Sequence, residues 1–161
     1  MSNEQTIWTF LKNKGLTDYA VAGIMGNLQA ESSMRPNNLE DTKNKLFGMS
    51  DAEYTSYVDS NRYTSFCTDK AGYGIAQWTT EDRKTGLYTL CKTENKSIAD
   101  LNCQLKFLYK ELIQRDLIDS LNKASTIKEA STIFLKKFEI PLDSGVDVQN
   151  YRASLSEEFY K

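Results

Sequence analysis

Chain breakers are scarce in this sequence. Its 161 residues include only two prolines and eight glycines. Between them, apolar residues recur at helical spacing, which restricts the chain to a mostly helical fold. Residues 3–14 carry Ile7, Trp8, Phe10 and Leu11, and Gly15 stands where a helix would stop. Thr17 suits the cap of a second helix with Val21, Ile24, Met25 and Leu28 on one side, ending before Arg35-Pro36. Residues 36–78 are polar, dotted with aromatics and irregular, apart from a capping box, Ser50-x-x-Glu53, that predicts a short helix through about Asp59. Helical signals resume at Thr79 or Thr80, with Leu87, Leu90 and Cys91 as the apolar side. Ser97-x-x-Asp100 reads as the opening of a long helix carrying Leu101, Leu105, Leu108 and Leu112, and Thr126-x-x-Glu129 as another start, leading to Phe134 and Phe138 before Pro141. A last helix is expected from about Val146 to Phe159. The expected fold class is mainly α within an α+β plan: a helical globule with a small irregular or β lobe inserted after the second helix. No repeat or linker interrupts it, so residues 1–161 read as one domain.

Composition removes several kinds of chemistry. The chain has no histidine, which excludes Ser-His-Asp and Cys-His machinery and the common histidine-containing zinc sites. Cys67, Cys91 and Cys103 are widely spaced and form no C-x-x-C pair, so they read as free, partly buried thiols; one disulfide among them cannot be read from spacing. No metal and no other cofactor is expected. With 20 Lys+Arg against 22 Asp+Glu, the net charge of -2 argues against nucleic acid as a partner and gives no bulk attraction to anionic polymers or membranes. No apolar run approaches the ~20 residues of a membrane span. Met-Ser-Asn-Glu-Gln lacks the basic and apolar regions of a signal peptide, so delivery outside a cell is expected to depend on another component.

Glu31 is the residue that breaks the pattern. On a helical wheel it lies about 20° from Ile24 and about 60° from Leu28, on the flank of the apolar stripe. It also occupies the last turn of its helix, where the dipole disfavours negative charge. A carboxyl in such a place tends to keep its proton, as a general acid must. The competing reading is a helix-terminal glutamate paired with a nearby arginine or lysine.

The segment Ala22-Gly23-Ile24-Met25-Gly26-Asn27-Leu28-Gln29-Ala30-Glu31-Ser32 resembles the catalytic helix of phage tail-type lysozyme domains, peptidoglycan-cleaving members of the lysozyme-like superfamily. A second match is Ala71-Gly72-Tyr73-Gly74-Ile75-Ala76-Gln77-Trp78-Thr79, followed by Arg83 and Lys84, and a third is Phe138-Glu139-Ile140-Pro141. One departure is Ser33-Met34, where relatives often carry glycine and an aromatic. The resemblance implies that Glu31 is the catalytic acid and that the Gly72–Trp78 segment forms the facing wall of a sugar cleft, with Thr79 beside it as a further substrate-binding residue. Gly74 then allows close backbone approach, Gln77 hydrogen-bonds a sugar amide or the acid, and Tyr73 and Trp78 offer flat faces with one polar handle each. The competing role of Trp78 is packing in the core, and that of Gln77 is a structural bond to backbone. Tyr54, Tyr57, Tyr63 and Phe66 read either as cleft lining or as packing within the inserted lobe. Gly26 reads as a helix-packing residue, and Arg83 with Glu139 as a structural pair.

Glycoside hydrolysis commonly uses a second carboxyl group, at about 5–5.5 Å for retention or about 6.5–9.5 Å for inversion. The candidates are Glu40, Asp41 and Asp69, with Thr79 as an alternative holder of water. The resemblance therefore implies a muramidase cutting the β-1,4 bond between N-acetylmuramic acid and N-acetylglucosamine. It equally admits a lytic transglycosylase, in which the sugar's own 6-hydroxyl attacks, and a silent glycan-binding domain is the reading from another class. The expected partner is peptidoglycan glycan strands, acted on by a monomer, either as one domain of a longer lysin or tail protein or as a small lysin delivered by a phage.

Overall fold

A computed structural model describes residues 1–161, which form nine α-helices and one π-helical turn. The helices are α1 (Asn3–Asn13), α2 (Asp18–Ser32), α3 (Asp41–Phe47), α4 (Asp51–Asp59), α5 (Glu81–Thr93), α6 (Leu101–Gln114), α7 (Ile118–Asn122), α8 (Ile127–Phe134) and α9 (Val146–Tyr160). The expected mainly helical architecture, with an irregular segment after α2, is what the chain adopts. Strand structure is confined to two isolated antiparallel bridges, Leu39 with Tyr73 and Tyr73 with Trp78. None of the helices is long and apolar enough to cross a membrane.

The chain divides into two compact units, Met1–Met34 with Leu108–Lys161, and Arg35–Phe107. The first is organised around α2, which packs mainly on α9 and α8. Ten of its fifteen residues are buried, so it is apolar nearly all round and not merely striped. Two small residues permit this packing. A Cβ on Gly26 would come within 2.5 Å of the Ser156 backbone nitrogen on α9, and one on Gly23 within 2.6 Å of the Ser131 nitrogen on α8. Thr17 caps α2 through its side chain, as its position suggests, and accepts from the Ala20 N–H. At the other end Ser33 and Met34 both turn left-handed, at φ 55° and 57°, so the departure from glycine noted above carries a real backbone cost.

The second unit contains the irregular lobe. Ser50 and Glu53 form the expected reciprocal box on α4. Two local readings change. The start of α6 is set by Asp100, which accepts from the Cys103 N–H, while Ser97 caps the turn before it, accepting from the Ala99 N–H and donating to Asp59. Helix α3 also lies where no helix was expected, since the polar residues before Ser50 read as irregular. Toward the C-terminus, α8 gives way to the π-helical turn Leu135–Glu139, and Ile140 leaves it with φ 50°, an unusual angle for a β-branched residue.

All three cysteines are free thiols. Burial pushes the Cys91 thiol up to about 12 and the Cys103 thiol up to about 11, while Cys67 is only half-buried. Reaction of the native protein with a chromogenic disulfide reagent at pH 8 should therefore titrate one fast thiol, and denaturation should release the other two. Rapid reaction of all three in the native state would contradict this packing.

Candidate active site

Glu31 occupies the last turn of α2, as its spacing suggests, and its side chain is 19% exposed. It is not alone. Arg152 of α9, 12% exposed, places Nη2 2.8 Å from Glu31 Oε1. The other end of the guanidinium donates to Asn27 Oδ1 at 3.1 Å, one turn back along α2. The Asn27 amide nitrogen in turn donates to the Gly23 carbonyl at 2.9 Å and to the Ser131 carbonyl of α8 at 3.0 Å. The Glu31 carboxylate is thus fixed by a chain of charge-assisted and amide hydrogen bonds running through α2, α9 and α8. Close packing makes this reach available. Ser156, one turn past Arg152, sits against Gly26 and donates to the Arg152 carbonyl at 2.9 Å. Of the two readings of Glu31, the pairing with an arginine is thus present, and the partner is one that the sequence did not single out.

In the second unit, the Gly72–Thr79 segment forms a tight turn. Tyr73 and Trp78 exchange backbone hydrogen bonds at 3.0 Å each way. Gln77 closes the turn from a left-handed conformation, φ 53°. Its side-chain nitrogen donates to the Asn38 carbonyl at 2.8 Å and the Gly74 carbonyl at 3.1 Å. Its Oε1 lies over Gly72, where a Cβ would meet it at 2.7 Å, so the glycine there makes room for the amide. Gly74 is buried, with φ 85°. Thr79 is exposed and donates to the Gln77 carbonyl at 2.8 Å.

Tyr73 and Trp78 differ from expectation. Both are fully buried, and neither ring presents a face to a ligand. Tyr73 packs among Tyr54 and Phe66 and bonds the Thr55 hydroxyl, while Trp78 meets Phe107 edge-on at 5.4 Å. For Trp78 the competing role as a core aromatic is the one observed, and Tyr73, expected in the cleft, is core as well, because the turn has no sheet beneath it and rests on these rings. Tyr54 and Phe66 are core as well.

The candidate second carboxylates fall in three different environments. Asp69 is almost wholly buried and accepts from Lys84 at 2.6 Å, Tyr54 at 2.6 Å, Tyr63 at 2.8 Å and the Ala71 N–H at 3.0 Å. Burial and the neighbouring Asp69 push the Tyr54 and Tyr63 hydroxyls well above the usual phenol range. Burial likewise pulls the Lys84 ammonium downward, against the attraction of Asp69. Glu40 accepts from the Gly72 N–H at 3.0 Å and from Thr42 at 2.9 Å, bracing the turn. Asp41 is exposed in the first turn of α3.

Sequence reasoning missed Arg152, Asn27 and Gln104. The last is fully buried; its amide accepts from the Ile75 N–H at 3.0 Å and donates to the Pro36 and Ile98 carbonyls at 2.7 Å each. A signal existed for Asn27 and Gln104, each a carboxamide within an apolar helical register. None existed for Arg152.

Residues 2–161 match the family model described as phage tail lysozyme. The chain belongs to that family. The match spans the α2 helix with Glu31, the Gly72–Thr79 turn and α9, so every element described above lies within it. As a phage tail lysozyme, the protein acts on the bacterial cell wall, with peptidoglycan as its substrate.

The buried Lys84–Asp69 pair generates a stability prediction. Lys84→Ala leaves a buried carboxylate without its counter-charge and should destabilise the protein by about 3–5 kcal/mol in urea denaturation. Removing Asp69 as well should recover part of that loss, and strictly additive single-variant losses would show the pair to be uncoupled.

Proposed function

We propose that this phage tail lysozyme is a glycan-strand hydrolase of the N-acetylmuramidase type. It cleaves the β-1,4 bond between N-acetylmuramic acid and N-acetylglucosamine, with Glu31 as general acid. The observations that carry this reading are the family match over the whole chain and the half-buried place of Glu31 in the last turn of α2; the Arg152 pair, itself anchored on Asn27, orients the carboxyl and is no source of its proton. A carboxyl fixed by its neighbours meets the bridging oxygen in a single orientation, and that avoids the entropy of arranging it in each turnover. As the glycosidic bond lengthens, the acid's proton passes to the departing oxygen, and water completes the hydrolysis at the anomeric carbon. Arg152 acts in this scheme as a positioning residue. On the turn of the second unit the exposed Thr79 hydroxyl is the polar group offered to sugar, while Gln77, whose amide nitrogen is spent on the Asn38 and Gly74 carbonyls, holds the turn. Tyr73, Trp78 and Gly74 shape the turn that carries them.

The engagement of Asp69 and Glu40 in structural hydrogen bonds favours one alternative within the class. With both carboxylates committed, attack by the sugar's own 6-hydroxyl gives a lytic transglycosylase that uses the same acid. Mass spectrometry of released muropeptides separates the two, because anhydro ends form only in the second.

Glu31→Gln should slow lysis of purified walls by about 10²–10⁴-fold while leaving the fold intact. Unchanged lysis by that variant would remove Glu31 from the chemistry. Arg152→Ala should lower kcat by roughly 10–100-fold with little change in KM, and Arg152→Lys should restore part of it. Loss of thermal stability with an unaltered kcat would make Arg152 structural only.

A further inference from the structure

One cavity of the first unit plays no part in holding Glu31. Helix α1 lines it with Glu4, Gln5, Trp8 and Thr9, the buried Met25 of α2 lies beneath, and Phe159, Tyr160 and Lys161 line its other side. Its volume is 330 Å³. The α1 residues fall at successive helical turns, so they share one face. Met25 precedes Glu31 by six residues, which is about 9 Å along the axis and about 120° around it. The cavity therefore opens on a different side of α2 from the acid.

Its lining has two chemistries. Three aromatic rings, with the buried Met25 beneath them, form the apolar part, and a carboxylate, a carboxamide, a hydroxyl and the Lys161 ammonium border it. The volume lies at the small end of ligand-site sizes. That is the inventory a pyranose needs. Its C–H face lies on a flat aromatic ring, and its hydroxyl and acetamido groups reach donors and acceptors at the edge.

We propose that this cavity is a second sugar site, which takes one N-acetylated amino sugar of a glycan strand away from the bond being cut. The proposal rests on peptidoglycan as substrate but not on the role of Glu31. On an insoluble polymer, a second contact raises the local concentration of strand at the first, so retention on the wall exceeds what either contact gives alone.

The test is co-sedimentation with purified insoluble peptidoglycan of the wild type and of Trp8→Ala, Thr9→Arg and Glu31→Gln. Thr9 is exposed, so Thr9→Arg fills the mouth of the cavity without disturbing the core and covers the case in which Trp8→Ala fails to fold. Both cavity variants should lose about tenfold or more in apparent wall affinity, while their turnover of short soluble strands stays at the wild-type rate. Glu31→Gln should bind walls like the wild type, and lysis by that variant would overturn the acid without touching this result. A folded Thr9→Arg protein that sediments like the wild type overturns the second site. So does a concentration-dependent wild-type dimer that Thr9→Arg abolishes, because the cavity then belongs to a second copy of the chain.

Discussion

The contact between Arg152 and Glu31 is the constraint around which the first unit is arranged. Each group is mostly removed from water, so each depends on the other. The arginine is anchored at both ends of its planar fork, on the Glu31 carboxylate and on the Asn27 amide. That double attachment requires α9 to lie close along α2. The approach exists because Gly23 and Gly26 present no side chain where Ser131 and Ser156 come near. A mid-helix glycine costs about 1 kcal/mol of helix stability. Here that cost is offset by the packing it allows, and the packing fixes the carboxylate on which the proposed chemistry turns.

The second unit solves a different problem. A lobe with almost no strand pairing still has to satisfy its buried backbone groups. It does so with side chains. Gln104 satisfies Ile75, Pro36 and Ile98 at once, and Gln77 covers the carbonyls of Asn38 and Gly74. Asp51 accepts from the Leu39 N–H, Asp59 from the Ile98 N–H, and Lys84 donates to the Ala71 carbonyl. Carboxamides, carboxylates and one buried ammonium do here what a sheet ladder does elsewhere. This explains why charged and amide residues lie at the heart of an irregular segment. It also explains why Asp69 and Glu40, which resemble catalytic candidates by composition, carry structural bonds.

The same contrast separates what was legible from what was not. The caps at Thr17 and Ser50 were readable because the cap and its partner lie three residues apart, within one turn. Ser97 misled because it caps the turn before α6, tied there by Asp59 thirty-eight positions away, while Asp100 caps the helix itself. Helix α3 was hidden because a short, charged segment has no apolar register to betray it. Trp78 read as either site or core and Tyr73 as site, and only the packing of Phe66, Tyr54 and Phe107 around them decides for core.

By itself the sequence determined the helical class, the interrupted segment after α2, the exclusion of histidine chemistry and the position of Glu31 on the flank of an apolar stripe. These follow from local spacing and composition, which the chain carries in one dimension. The partner of Glu31, the structural engagement of Asp69, and the cavity assembled from α1, α2 and the end of α9 were decided by tertiary structure alone. Each depends on residues far apart in sequence meeting at contact distance. A hydrophobic period specifies which face of a helix is buried, but not which charged side chain of another helix will lie against it.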